Sequence, residues 1–209
     1  MIVKKLKFII LIAICLGIVG FLFYSPESEP EKQVFSLDIP ELYSEALQIA
    51  SFDSVFSVRP LEAHAVNFSK EEEKIFYQDA YAETDVVQES FGHRIKEDII
   101  LKAPGHPSEF RFELNLSDYE YEFSERGDIH FYNLGTQEKS LRKAYTIPAP
   151  FMIDAEGEES GFEAVETIIE EDILIIKPSL EWLESHEYPI ILDPTIELSV
   201  LNLFSHQPF

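Results

Sequence analysis

Phe110-Arg111-Phe112-Glu113-Leu114-Asn115-Leu116, residues 110–116, alternates apolar and polar positions without a fault. Successive side chains of a strand point to opposite faces, so Phe110, Phe112, Leu114 and Leu116 share one face. Tyr119, Tyr121 and Phe123 repeat the pattern with glutamates between them. The stretch reads as two half-buried strands. Ser117-Asp118 is expected to turn the chain between them as a hairpin, without the glycine that two-residue turns favour. Arg126-Gly127-Asp128 marks a second turn, leading into a strand over 129–132. Further strands are predicted over 95–102, 145–148, 173–177 and 188–192. Many short strands with turn signals between them predict a mainly β fold, an antiparallel β-sandwich over 64–199. Phe110, Phe112, Leu114, Tyr121, Trp182 and Ile190 are its expected core. Residues 178–186, PSLEWLESH, read as a helical turn with Trp182 and Leu183 inward, and 154–161, DAEGEESG, as an exposed loop.

The N-terminal part has a different character. Lys4, Lys5 and Lys7 precede an uncharged run of 17 residues, FIILIAICLGIVGFLFY, from Phe8 to Tyr24. A helix of roughly 20 residues crosses a bilayer core, and the lysines before the run put the N-terminus inside. The reading is a transmembrane signal anchor over 1–24, on a single-pass protein of the cytoplasmic membrane with its C-terminal domain outside. A cleaved signal is disfavoured by bulky Leu22, Phe23 and Tyr24 before Ser25-Pro26, and Ile14 before Cys15 speaks against a lipoprotein site. Residues 25–39, opening SPESEPEK, form an acidic, proline-rich spacer. Residues 40–63 are read as a short helix and a connection: Pro40 suits the first helical position, and Leu42, Ala46 and Ile49 share a face. Residues 200–209 are a tail.

The formal net charge is −23, with 39 acidic residues against 16 lysines and arginines. Phosphate contact needs clustered cations, so composition argues against a nucleic-acid partner. The sole cysteine, Cys15, lies in the apolar run, so the exported part is expected to hold together by its core and not by disulfides.

No catalytic, cofactor-binding or metal-ligating residue emerges from spacing. Asp154, Glu156, Glu158 and Glu159 suggest calcium, but Gly157 falls at the fourth place of the loop where the EF-hand pattern needs the sixth. His64, His93, His106, His130, His186 and His206 are scattered, with no pair at metal-ligand spacing. Arg126-Gly127-Asp128 spells an adhesive tripeptide that a turn explains equally well. Lys96-Glu97-Asp98 reads as alternating charge on a strand's solvent face. Phe110, Phe112, Tyr119, Tyr121 and Phe123 could stack sugars, although inward alternation makes them core residues first.

In order and spacing, several pieces resemble the segment that precedes the DNRLRE domain in large bacterial wall-associated and YD-repeat (Rhs-type) surface proteins. They are Ala80-Tyr81 with Asp85-Val86; Ile95-Lys96-Glu97-Asp98-Ile99-Ile100-Leu101; Phe110-Arg111-Phe112-Glu113-Leu114; and IPAPFMIDA from Ile147 to Ala155. Trp182-Leu183 and YPIILDPT from Tyr188 to Thr195 close the match, which covers about 75–195. The resemblance implies a β-rich extracellular module of scaffold type with no catalytic set to carry over. In that family a larger region follows the YPIILDPT stretch, whereas here Phe209 lies fourteen residues past Thr195. The prolines flanking residues 190–193 suit an edge strand.

The functional expectation is a non-enzymatic, membrane-anchored cell-surface structural or interaction module. Its expected partners are the membrane, through the N-terminal helix, and the cell wall or a downstream surface-protein domain. A carbohydrate- or wall-binding module is one alternative, an extracellular hydrolase using a carboxylate pair another.

Overall fold

The computed structural model describes residues 35–51, 54–91, 94–135 and 143–198. The strands run in chain order β1 (Phe35–Asp38), β2 (Leu47–Ser51), β3 (Ser54–Pro60), β4 (Ser69–Glu71), β5 (Lys74–Tyr81) and β6 (Thr84–Ser90). They continue as β7 (Arg94–Leu101), β8 (Phe110–Leu114), β9 (Tyr119–Phe123), β10 (Ile129–Asn133), β11 (Lys143–Ile147) and β12 (Phe151–Ile153). After a 3₁₀ turn at Phe162–Ala164 come β13 (Val165–Glu170), β14 (Ile173–Pro178), helix α1 (Leu180–Ser185), β15 (Ile190–Asp193) and β16 (Ile196–Leu198). The fold is mainly β with antiparallel sheets, as the alternating patterns predict.

Among the described residues the strands form two sheets. One is ordered β1-β2-β3-β8-β14-β13, the other β4-β5-β6-β7-β16-β11-β10-β9, with β15 also paired to β7 and β12 to β15. The inward faces meet in one aromatic core. Phe56 of β3 stacks on Tyr145 of β11 at 4.8 Å between ring centres and lies 5.0 Å from Phe131 of β10 and 5.6 Å from Tyr119 of β9. Tyr119 completes the seam by donating from its hydroxyl to Ser54 Oγ at 2.7 Å. Each such ring pair adds about 0.5–1.5 kcal/mol beyond the area it buries.

Phe110, Phe112, Leu114 and Ile190 are buried as expected. Tyr121 is not: it is 36% exposed, on the outer rim of β9 beside exposed Phe123. Trp182 packs only partly against the core, and its neighbour Leu183 is the buried residue of α1.

Four local expectations are corrected. The first is the helix over 40–51. Leu47–Ser51 is a strand, and the compact unit begins at Val34, so 40–63 belongs to the β domain. Tertiary pairing with β1 and β3 overrides a weak helical pattern. The second is the hairpin at Ser117-Asp118. β8 pairs with β3 and β14, whereas β9 pairs with β10, so the turn carries the chain from one sheet to the other. The third is the edge role of 190–193. β15 lies between β7 and β12 and is covered on both sides. Pro194 falls in the break where β7 passes from pairing with β15 to pairing with β16.

The fourth concerns the membrane. The apolar run from Phe8 to Tyr24 and its lysines lie outside the described residues, as do the tail and His93 and His206. Among the described residues no helix is long and apolar enough to cross a membrane. The single-pass expectation thus finds no spanning element in the described structure.

Replacing Phe56 with alanine should cost about 3–5 kcal/mol in chemical denaturation, whereas Phe123→Ala should cost under about 1 kcal/mol. Similar midpoints for the two variants would show that the seam is placed wrongly.

Candidate functional site

Four constellations stand out in the sequence, Lys96-Glu97-Asp98, the aromatic platform, Arg126-Gly127-Asp128 and the acidic loop after Asp154, and the fold makes no site of the first three. Lys96, Glu97 and Asp98 are consecutive on β7, so they cannot share a face. Lys96 donates to Asp98 at 2.6 Å and lies 3.8 Å from Asp193, which gathers these three on one side. Glu97 turns the other way, into the protein. It accepts from Gln88 Nε2 at 2.5 Å and from the Tyr43 hydroxyl at 3.4 Å. Desolvation pushes its carboxyl up to about 7 against those two stabilising bonds. The space beside it, lined by Tyr43, Glu45, Gln88 and otherwise apolar side chains, amounts to about 30 Å³. That holds water and not a substrate. A raised-pKa acid is therefore present and Glu45 lines the same space, but that space is too small to admit a substrate between them.

The sugar-stacking alternative dissolves as well. Phe110, Phe112 and Tyr119 are buried. Tyr121 and Phe123 are exposed, yet their rings stand at 87° to one another, which is no flat surface for a pyranose. The adhesive reading of Arg126-Gly127-Asp128 fails on its carboxylate. Asp128 accepts from Ala149 N at 3.0 Å and from the Ser124 hydroxyl at 3.0 Å, which holds its pKa below the ordinary value. Gly127, at φ +92°, supplies the left-handed residue of this β9–β10 turn.

From the acidic loop the fold keeps Asp154 and Glu158 together and adds His186, a combination that sequence spacing does not show. Asp154, Glu158 and His186 present ligand atoms that all lie within 4.8 Å of one another. Asp154 follows β12 directly and is 8% exposed. Its Oδ1 accepts from Glu156 N at 2.9 Å and Glu158 N at 2.8 Å, folding the acidic loop back on itself, with Gly157 at φ +85° making the turn. The β12–β15 pairing and an Ala155 N to Glu187 O bond at 3.1 Å bring the chain after α1 alongside this loop.

His186 arrives there with its ring already fixed. Ser179 caps α1 by accepting from Trp182 N. The His186 imidazole stacks on Trp182 at 3.8 Å and 12° between planes. Its Nδ1 lies 2.7 Å from the Trp182 carbonyl oxygen, an atom that only accepts, so Nδ1 carries the proton. In the neutral ring this puts the lone pair on Nε2, which faces Glu158 Oε1 at 3.7 Å. His186 also lines an open groove of about 850 Å³ with His106, Lys177, Glu163, Glu184 and Tyr188. His106 Nδ1 donates to Pro107 O at 2.8 Å, so its Nε2 accepts from the Tyr188 hydroxyl at 3.0 Å across this groove. His64 and His130 stand apart, bonded to Asp79 O and Thr146 Oγ1.

Three relatives fix the context. The chain resembles tRNA nucleases. It is 28% identical over 155 residues to the tRNA nuclease WapA of Bacillus subtilis strain 168, and equally so to the tRNA(Glu)-specific nuclease WapA of B. subtilis subsp. natto. Identity is 27% to the tRNA3(Ser)-specific nuclease WapA of Bacillus spizizenii. Each match spans 69% of this chain and 6% of the relative. No family profile and no solved structure matches.

These likenesses correct the functional expectation. The relatives are named as enzymes, against a non-enzymatic, membrane-anchored surface module, and they are named for tRNA, against the exclusion of nucleic acid.

Burial of Glu97 has a consequence for stability. Its folded pKa stands above its unfolded value near 4.5, so the folded state holds the extra proton between about pH 4.5 and 7. The contribution is present below that window and lost as pH rises through it. Glu97→Gln should remove about 2 kcal/mol of this pH-dependent loss, read as a smaller drop in denaturation midpoint from pH 5 to pH 8 than in the parent. Identical drops in both proteins would contradict the placement of Glu97.

Proposed function

We propose that this chain is a β-sandwich module of tRNA-nuclease type, with a hydrolytic centre at Asp154, Glu158 and His186 on the rim of the groove. The observation that carries the reading is the orientation of His186. Trp182 holds the imidazole so that Nε2 faces two carboxylates beside the open groove. Hydrolysis of a phosphodiester needs an activated water and compensation for charge growing on the phosphoryl oxygens. An imidazole lone pair and a carboxylate supply bases for the first requirement. RNA as substrate is supported by what the relatives are named for.

The acidic balance shapes how such a site must work. With a net charge of −23 and Glu163, Glu166 and Glu184 along the groove, a bare phosphate is repelled. Lys177 is the groove's lysine, and it sits 3.9 Å from Glu166. A phosphodiester can therefore approach only where positive charge is added to the acidic rim.

The full chain, incubated with tRNA in buffer containing Mg²⁺ and Mn²⁺, should release shortened products on a denaturing gel. Glu158→Gln and His186→Ala should each slow cleavage by about 10²-fold or more. Intact tRNA after prolonged incubation with folded protein would end the proposal.

A further inference from the structure

We infer that Asp154, Glu158 and His186 form a binding site for a single transition-metal dication, Mn²⁺ or Zn²⁺, which ties the acidic loop to the segment leaving α1. This rests on the same residues as the hydrolytic reading, but not on any catalysis by them. The donor set is one imidazole nitrogen and one oxygen from each of two carboxylates, with all three atoms within 4.8 Å of one another. A ring nitrogen among carboxylate oxygens suits Mn²⁺ or Zn²⁺ better than Ca²⁺ or Mg²⁺, which take oxygen ligands almost exclusively.

The independent sign of a metal site is the outer shell of His186. A ligating histidine ordinarily donates its other ring N–H to a carbonyl or carboxylate, which fixes the tautomer and aims the lone pair. Here Nδ1 donates to Trp182 O, the Trp182 ring fixes the imidazole plane, and the His186 side chain is only 14% exposed. Asp154 is oriented in the same manner by two backbone N–H groups on Oδ1. Glu158 is the mobile partner, its side chain 70% exposed, and it can swing onto an ion at little cost to the fold. Three protein ligands on a tetrahedral ion leave one position for water or substrate, the arrangement of an open site.

Within the sequence the ligands stand far apart. Asp154 and Glu158 lie in the loop after β12, and His186 follows α1, with β13 and β14 between them. An ion joining them would cross-link the domain and stabilise it against unfolding.

The test uses the full chain stripped with chelator, titrated with MnCl₂ and separately with ZnCl₂, and read by calorimetry and by thermal midpoint. One ion per chain is expected, with Mn²⁺ or Zn²⁺ preferred over Mg²⁺ by about tenfold or more. The midpoint should rise by about 5–10 °C when metal is a hundredfold above its dissociation constant. His186→Ala should weaken binding by at least about tenfold, as should Glu158→Gln, whose exposed side chain leaves folding intact. No heat and no midpoint shift with either metal, or unchanged affinity in Glu158→Gln, would overturn the site. Metal binding without RNA cleavage supports the site and removes the hydrolytic reading. Cleavage by a protein that shows no metal binding in these titrations overturns the site and leaves that reading standing.

Discussion

Everything in this fold depends on Phe56 meeting Tyr145, Phe131 and Tyr119. Each of the two sheets has one face that must leave water, and neither can do so alone. The ring from β3 reaches across to three rings on β9, β10 and β11, and the Tyr119–Ser54 hydrogen bond satisfies the hydroxyl that such a contact would otherwise bury unpaired. No cysteine is present beyond Cys15, so no covalent link takes over this task in the domain. The consequence reaches the candidate site. β12 and β15 hang on β7, and the acidic loop and the exit of α1 hang on β12 and β15. Asp154 and His186 are thus placed by backbone pairing that the core holds in register.

The acidic character of the chain looks different once it is distributed. Much of it is solvated surface, where like charge aids solubility and little else. A few carboxylates escape that description. Glu97 is turned inward among tyrosines and is held by Gln88, while Asp154 is clamped by backbone amides. Asp128 ties the β9–β10 turn to Ala149. These three are positioned by the fold, and only Asp154 opens onto a partner group that can do chemistry.

Strands with clean alternation were legible. β7, β8, β10, β11 and β14 fall where the period of two places them, because one buried face imposes that period. The hairpins β4–β5, β5–β6 and β13–β14 were not. Each closes through a two-residue turn with a glutamate at positive φ, Glu72, Glu83 and Glu171, where a reader looks for glycine or asparagine. β2 was hidden for another reason: its short apolar pattern fits a helical turn as well as a strand. Tyr121 was misplaced because alternation gives the face of a strand but not its distance from the sheet's edge.

By itself, then, the order of residues determined the mainly β character, the antiparallel pairing, the turn at Gly127 and most of the buried face, since these follow from local periodicity and backbone preference. Tertiary structure alone decided which sheet each strand joined. It alone brought His186 to Asp154 and Glu158, thirty-two residues apart in the chain at the outer pair (186 − 154), because that meeting is made by long-range strand pairing and a capped helix turn. Spacing along a chain records what neighbours can share a face; it carries no record of which distant loops a sheet will set side by side.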